Sequence, residues 1–588
     1  MDTNRWPNSR HGLLLALLFL ATARWTWGAW AKPDIGFGTS LHRAERIANG
    51  ITPYQDLALQ DPPLGPVVLA ALFSIFGAHL NVAYLGGIVI LLGQSIVLWR
   101  IARHFSSELE ASIGVIGFWF LFAFGTGASN WITPASFGAP LGMLLATTAL
   151  DLLLREARQP SRRNLIIAGC LLGLSALANL VYGAAATLAA LLFARVRPQT
   201  PDAVRKGMSR AGILPWILGP ALGAMALILI FPAGGVPFES MIEDLFPQTG
   251  EQAGIWAILG PLHPMWSERG ALGITRTVLF ALAGCLVVLP LFAAASLPGI
   301  GALRGHAAEK TGAVFLLLLP ALGIALASRL VGPAGGNGLD WAPVVWLGVA
   351  LSAFGGRDRF APTPAWQALA VIGLFSFAAH FGRPEGGGPD HAGVFTPALV
   401  VFLVGIAARR MLPDSPRGEH AAAFALLVWI AAGAAPHLQE YYKRDFAVVH
   451  DRGTVRMTRL EARPLLGILR RIQEFGGPGQ SIAVLPDTAL INFLSGRPNP
   501  LRSFGTGWPD SPRKEMDFVA SMAREDTSLA ILRKDAIGPT FRTTLGPEGQ
   551  RTATLLALRF EPKFENRHYI LFSPRGRILS STDTERER

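Results

Sequence analysis

Residues 31–77 read AKPDIGFGTSLHRAERIANGITPYQDLALQDPPLGPVVLAALFSIFG. An apolar run ends just before this stretch, and Asp34 follows within a few residues of that end. A polar loop then carries Tyr54, Asp56, Asp61 and the pair Pro62-Pro63 before the chain turns apolar again. A carboxylate held at the edge of a bilayer is costly unless it has a task.

The chain around this loop is built for lipid. It has 588 residues, of which 51% are hydrophobic and only 16% charged, against about 25% charged in soluble domains. The two cysteines, Cys170 and Cys285, both sit in apolar runs, so a disulfide framework or a CxxC metal site is ruled out. The net charge of +12 is carried by short basic clusters between apolar runs. That distribution sets membrane orientation and does not suit a nucleic-acid surface.

Apolar runs long enough for a bilayer core of about 30 Å occur near residues 11–31, 80–99, 111–128, 134–154, 164–178, 180–194, 211–232, 273–298, 311–330, 341–354, 364–381, 393–408 and 420–436. The expected architecture is therefore a polytopic α-helical membrane protein with about 13 transmembrane helices. Residues 64–78 are apolar but short, and they start at Pro62-Pro63. Taken as an interfacial or re-entrant helix, they leave the clusters at Arg5/Arg10, Arg100/Arg103, Arg155/Arg158/Arg162/Arg163, Arg195–Arg210, Arg304/Lys310, Arg357/Arg359 and Arg409/Arg410/Arg417 on one side. The positive-inside rule makes that side the cytoplasm and the N-terminus cytoplasmic. Ala29-Trp30-Ala31 has the small residues of a signal-peptidase site, but the flanking tryptophans and Arg24 favour a retained first span.

The outer side then holds a first loop (32–79), a short loop with Asn130 and Trp131, a long loop (232–272), and two Gly-rich loops, GPAGGNGLDW (332–341) and GRPEGGGPDH (382–391). The last two, with their spans, look like a weak internal repeat, which ordinary Gly-rich turns joining helices explain better than a functional repeat does. Residues 1–436 make the membrane body. From 437 to 580 the charge density and the strand–helix alternation predict a soluble α/β domain on the outer side. Helices are expected at 463–477, with a Gly-Gly C-cap, at DTALINFLSG (487–496) and at 514–526; strands are expected at 481–486, 528–534 and 568–574. Residues 581–588 read as a disordered tail.

The first loop resembles that of the GT-C superfamily of integral-membrane glycosyltransferases, in particular its bacterial RgtA/B/C/D-like, family-39-like branch. The similarity rests on Asp34, on Gly50-Ile51-Thr52-Pro53-Tyr54-Gln55-Asp56 and on Asp61-Pro62-Pro63-Leu64. Phe493-Leu494-Ser495-Gly496-Arg497-Pro498 resembles a segment of the outer domain of many relatives. In two places the chain departs from the pattern: Asp34 is followed by Ile35 and not by a second acidic residue, and Asp390-His391 stands where Asn-His is common.

The resemblance implies transfer of a sugar, hexosyl or pentosyl, from a polyprenyl-phosphate donor in a bacterial inner membrane to a periplasmic acceptor. That acceptor is a lipid-linked glycan, lipopolysaccharide, a cell-wall polymer or a protein. An inverting displacement needs one carboxylate to take the acceptor's hydroxyl proton, and Asp34 is the candidate base. The departing phosphate needs cations, for which arginine's fork is suited. The expected substrate-contacting residues are Arg43, Arg46, Tyr54, Asp56, Asp61, Glu243, Asp244, His263, Arg269, Arg383, Asp390 and His391, with Arg329 as a further cation. Plainer readings stand beside them: Arg43 and Arg46 on an amphipathic segment resting on the membrane, Tyr54 shaping its loop, Glu243 and Asp244 as solvated loop charges. No metal ligand set is expected; the chemistry requires no cofactor and leaves room for a divalent metal. Two rival classes remain, a transporter or flippase of lipid-linked sugars and a non-catalytic membrane scaffold. Transporters place ionisable residues in mid-span, whereas here the polar residues concentrate in the outer loops.

Overall fold

The computed structural model describes residues 9–30, 36–59, 61–104, 107–125, 130–134, 136–156, 161–196, 235–245, 416–477, 479–485, 489–502, 527–534 and 556–575, together with 516, 518, 520–522 and 554. The spans expected near 211–232, 273–298, 311–330, 341–354, 364–381 and 393–408 lie outside the described residues, so the count of thirteen remains an expectation.

The membrane body begins with α1 (Ser9–Thr26), α2 (Phe37–Ala48), α3 (Leu64–Phe76), α4 (Leu80–Arg103) and α5 (Glu108–Phe118), which continues into a π-helical turn over Trp119–Ala123. It goes on with α6 (Gly138–Glu156), α7 (Arg162–Ala178), α8 (Leu180–Val196), the short α9 (Phe238–Leu245) and α10 (Pro416–Lys443). Among the described residues, α4 and α6 are long and apolar enough to cross a membrane. Leu85, Val89, Leu92 and Ile96 of α4 are exposed at spacings of three and four, as are Leu13, Leu17 and Leu20 of α1 and Phe424 and Leu427 of α10. Such spacing puts each set on one helix face. Contiguous exposed apolar stripes of this kind are what lipid-facing helices carry.

The two ends of the body differ in chemistry. At one end Asp151 is buried against Arg100 at 2.7 Å, Arg155 at 3.4 Å and His104 at 3.7 Å. His11, at the start of α1, lies 3.3 Å from Glu108, at the start of α5. The basic clusters of Arg100/Arg103 and Arg155 therefore converge on one end, with the start of α1 beside the start of α5. The opposite end carries the C-terminal unit: the Gly28 carbonyl accepts from the Arg456 amide, and the Leu80 amide donates to the Arg452 carbonyl.

Helix α3 is 13 residues long, about 20 Å at 1.5 Å per residue, which is short of the bilayer core. Its N-terminal end packs close to the start of α6, where Gly65 meets the backbone of Gly138. Near its other end the Phe73 ring stacks on Phe493 at 5.7 Å, and just beyond it His79 Nε2 lies 3.1 Å from the Asp451 carbonyl. Gly77 makes the exit turn at a φ of +87°.

The C-terminal unit starts later than expected. Helix α10 runs through Pro436 to Lys443, and the chain turns only where buried Arg444 donates to the Ala29 carbonyl. A hairpin follows, β1 (Phe446–His450) paired antiparallel with β2 (Gly453–Met457) around a two-residue turn. Then come α11 (Arg459–Phe475), β3 (Ser481–Leu485), α12 (Leu490–Ser495), β4 (Thr527–Arg533), β5 (Phe560–Glu565) and β6 (Tyr569–Pro574). Four strands form a mixed sheet in the order β3-β4-β6-β5, with β3 and β4 parallel and the other neighbours antiparallel.

Thr458 and Glu461 close a capping box at the start of α11, which satisfies two otherwise orphan amides. Its apolar residues Leu465, Ile468, Leu469 and Ile472 are buried. The helix ends at the expected glycine cap: Gly476 is its C-cap, in an extended conformation at a φ of −102°, and its amide donates to the Ile472 carbonyl at 3.0 Å. Helix α12 ends on a left-handed glycine cap, Gly496, with a φ of +68°.

Candidate functional site

Helix α2 follows Asp34 by three residues and is unusually polar inside. Phe37, Gly38, Leu41, His42, Arg43, Ala44 and Glu45 are all buried. A surface-lying amphipathic helix would expose its charges; α2 is wedged between α3 and α12, so its charges face protein. Gly38 permits the approach, since a Cβ there would overlap the backbone nitrogen of Leu490.

The buried charges are matched across the contact. His42 Nδ1 lies 3.3 Å from Glu45, and His42 Nε2 lies 3.1 Å from the Asn499 amide, which donates to it. These partners assign the tautomer: Nδ1 carries the proton and Nε2 accepts. Burial pulls the His42 pKa below its usual value, against the opposing pull of Glu45. Burial alone would raise Glu45, but the His42 hydrogen bond and Arg452 hold its carboxyl below the usual range. Arg452, from the hairpin turn, pairs with Glu45 and also donates to the Phe493 carbonyl at 2.9 Å. Arg46 donates to the carbonyls of Asn499 at 3.1 Å and Leu501 at 3.0 Å.

The segment resembling the relatives' outer domain serves this contact. Asn492 donates to the carbonyls of Ile482 and Arg497, and Arg497 donates to the carbonyls of Gly476 and Gly477. Phe493 sits between the Phe73 ring and the Arg452 guanidinium, the latter 5.3 Å from its centroid.

After α2 the first loop folds back over Pro53 and Tyr54. Tyr54 has a φ of +64°, the only non-glycine positive φ among the described residues. Such a conformer costs of order 1–3 kcal/mol and persists only where surroundings over-determine it. They do so here. The Tyr54 hydroxyl donates to the Asp61 carbonyl at 3.1 Å, and its amide donates to the Leu57 carbonyl at 2.8 Å. Arg502 donates to its carbonyl at 2.8 Å and to that of Gln55 at 3.0 Å. Burial, with Asp61 and Asp244 nearby, pushes the phenol pKa upward, so Tyr54 stays protonated and donating.

Helix α9 closes the junction. Met241 and Leu245 pack with Tyr54, Leu57, Leu59 and Leu501. Asp244 pairs with Arg502 through contacts of 2.8 and 3.3 Å. Burial pushes the Asp244 pKa up to about 6, against the opposing effects of Arg502 and of the more weakly felt Arg43.

Of the expected site residues, Arg43, Tyr54, Asp61 and Asp244 are thus brought to one polar junction beside Arg502. Arg46 lies at the adjacent contact with the C-terminal unit. Asp56 has its side chain exposed, and its amide donates to the Thr52 carbonyl at 3.1 Å. Glu243 belongs to α9, though its side chain lies outside the described residues, as do Asp34, His263, Arg269, Arg329, Arg383, Asp390 and His391. His42, Glu45, Arg452 and Arg502 escaped the sequence reading. The signal for the first two was three charged or titratable residues, His42, Arg43 and Glu45, inside four positions of a helix.

No family model matches the chain, and no curated protein matches it. Among solved structures it is similar to ArnT from Cupriavidus metallidurans bound to undecaprenyl phosphate, with a TM-score of 0.44 and 14% identity over 96% of this chain and 97% of that one. It is similar to the oligosaccharyltransferase AglB from Archaeoglobus fulgidus, in complex with an inhibitory peptide and a dolichol-phosphate, with a TM-score of 0.43 and 14% identity over 89% and 69% of the two chains. It is also similar to the arabinofuranosyltransferase AftD from Mycobacteria, with a TM-score of 0.42 and 14% identity over 98% and 40%.

Proposed function

We propose that the protein is a membrane glycosyltransferase that moves a sugar from a polyprenyl-phosphate donor to an acceptor on the outer face of a bacterial inner membrane. The observation carrying this reading is the junction itself. The residues that follow Asp34 in the first loop are buried, charged and matched at the boundary between lipid-exposed helices and the C-terminal unit. A lipid-linked donor presents its phosphate at that depth.

In this reading the C-terminal unit is periplasmic, because it caps the end opposite the converging basic clusters. Helix α3 lies along the outer leaflet. Asp34 acts as the general base: its carboxylate takes the acceptor hydroxyl proton as the new glycosidic bond forms and the bond to phosphate breaks on the opposite side, with inversion. Arg43 supplies positive charge near that phosphate, and an arginine needs no metal to stabilise a departing phosphate oxyanion. Arg269, Arg383, His263, Asp390 and His391, from the other outer loops, are further candidates for donor and acceptor contact.

The test is direct. Protein reconstituted in vesicles is given polyprenyl-phosphate sugars carrying a labelled hexose or pentose, with envelope glycolipid and polymer fractions as acceptors. Label transferred to an acceptor, with release of polyprenyl phosphate, supports the reading. Movement of intact labelled lipid between leaflets without transfer supports a flippase instead.

A further inference from the structure

Arg502 ties three separate parts of the chain together. From the segment after α12 it reaches the first loop, donating to the Tyr54 and Gln55 carbonyls at 2.8 and 3.0 Å. With the same guanidinium it pairs with Asp244 on α9 of the long loop, at 2.8 and 3.3 Å. Its own carbonyl accepts the Ala58 amide at 2.9 Å, so the first loop is held from both sides of one residue.

The fork geometry matters. Two backbone oxygens and both oxygens of one carboxylate are engaged by a single planar group, which a lysine ammonium cannot reproduce. The carbonyl it grips belongs to Tyr54, whose left-handed backbone needs outside support. Asp244 is itself buried, with a side-chain exposure of 6%, so the pair is shielded from competing water.

We infer that Arg502 is a positioning residue of the transferase, holding the first loop in register with the long loop from the C-terminal unit. The inference rests on the proposed function and adds to it. The outer unit is then part of the active centre's framework, and both loops that flank the reacting groups are set by one side chain. Because Arg502 acts through the loops, its removal acts on kcat more than on donor KM. Misplacement by about an ångström lowers a rate by about a hundredfold.

The experiment uses the full chain in lipid nanodiscs and reads two things together: backbone hydrogen exchange and transfer kinetics. Arg502→Ala should speed exchange in both 54–58 and 238–245, with β3 and β4 unchanged, and lower kcat by about tenfold to a hundredfold. Asp244→Asn should free 238–245 while 54–58 stays protected. Arg502→Lys keeps a charge for Asp244 but loses the fork, so it should free 54–58 while 238–245 stays protected. Exchange in β3 and β4 rising with the rest would assign Arg502 to general stability, and unchanged exchange in both loops would remove the coupling. Full transfer by Arg502→Ala would overturn the positioning role alone. Absence of transfer by the unmodified protein would overturn the transferase reading.

Discussion

The backbone amide of Asn499 donates to Nε2 of His42 at 3.1 Å, so a buried ring on the helix that follows Asp34 is read by the C-terminal unit. The ring can accept only while neutral. Four groups set its charge: Glu45 and Arg46 on its own helix, Arg452 from the hairpin turn, and the Asn499 amide.

That relationship gives a pH dependence. The His42 pKa is lowered in the folded protein from 6.5, so the unfolded chain takes up the proton first as pH falls. The contact's contribution is full above about pH 6.5 and is lost progressively below it. Glu45, also held low, keeps its contribution until pH falls below about 4.5. Asp244, raised to about 6, works in the opposite sense, favouring the fold slightly as pH falls from 6 toward 4. Melting followed from pH 7.5 to 5.5 should show Tm falling. His42→Gln, whose amide can both donate and accept, should flatten that fall. An unchanged slope in the variant would sink the assignment.

Gly38 is the second lever. A Cβ there overlaps the Leu490 backbone, which no rotamer change relieves. Gly38→Ala should cost about 1–3 kcal/mol through overpacking, seen as faster proteolysis within the C-terminal unit and a lower Tm. Unchanged protease resistance would show that α2 and α12 are not in contact.

Orientation is tested by accessibility. Reporter fusions after Arg163, Arg210 and Arg359 should read as cytoplasmic, and fusions at Gly388 or after Tyr442 as periplasmic. The structure already binds Arg100 and Arg155 to the single carboxylate of Asp151, so these two clusters must share a side. A cytoplasmic reading after Tyr442 would reverse the proposed placement of the C-terminal unit.

Much of this was legible because periodicity and charge are local. The runs near 80–99 and 134–154 became α4 and α6, and the strands expected at 481–486, 528–534 and 568–574 became β3, β4 and β6. The β1–β2 hairpin was missed although FAVVH and GTVRM flank a two-residue turn, because each strand is only five residues long and the first follows closely on a helix that runs through Pro436 to Lys443. Strand β5 was missed because FEPKFE buries only Phe560 and carries an internal proline. The polar junction was half legible. Tyr54, Asp61 and Asp244 stood out by motif and loop position, but Arg452 and Arg502 join from more than 250 residues away in sequence, and no local pattern encodes such pairings.

The central claim is that Asp34 takes the acceptor's proton, and one measurement tests it most directly: glycan transfer by Asp34→Asn in reconstituted vesicles, beside Asp56→Asn as the loop control. The amide keeps shape and hydrogen bonding but cannot serve as a base. General-base contributions are about 10²–10⁴-fold, so transfer should fall by about that factor with insertion, Tm and donor binding unchanged, while Asp56→Asn stays near the unmodified rate because its side chain is exposed. Undiminished transfer by a correctly inserted Asp34→Asn protein would contradict the account.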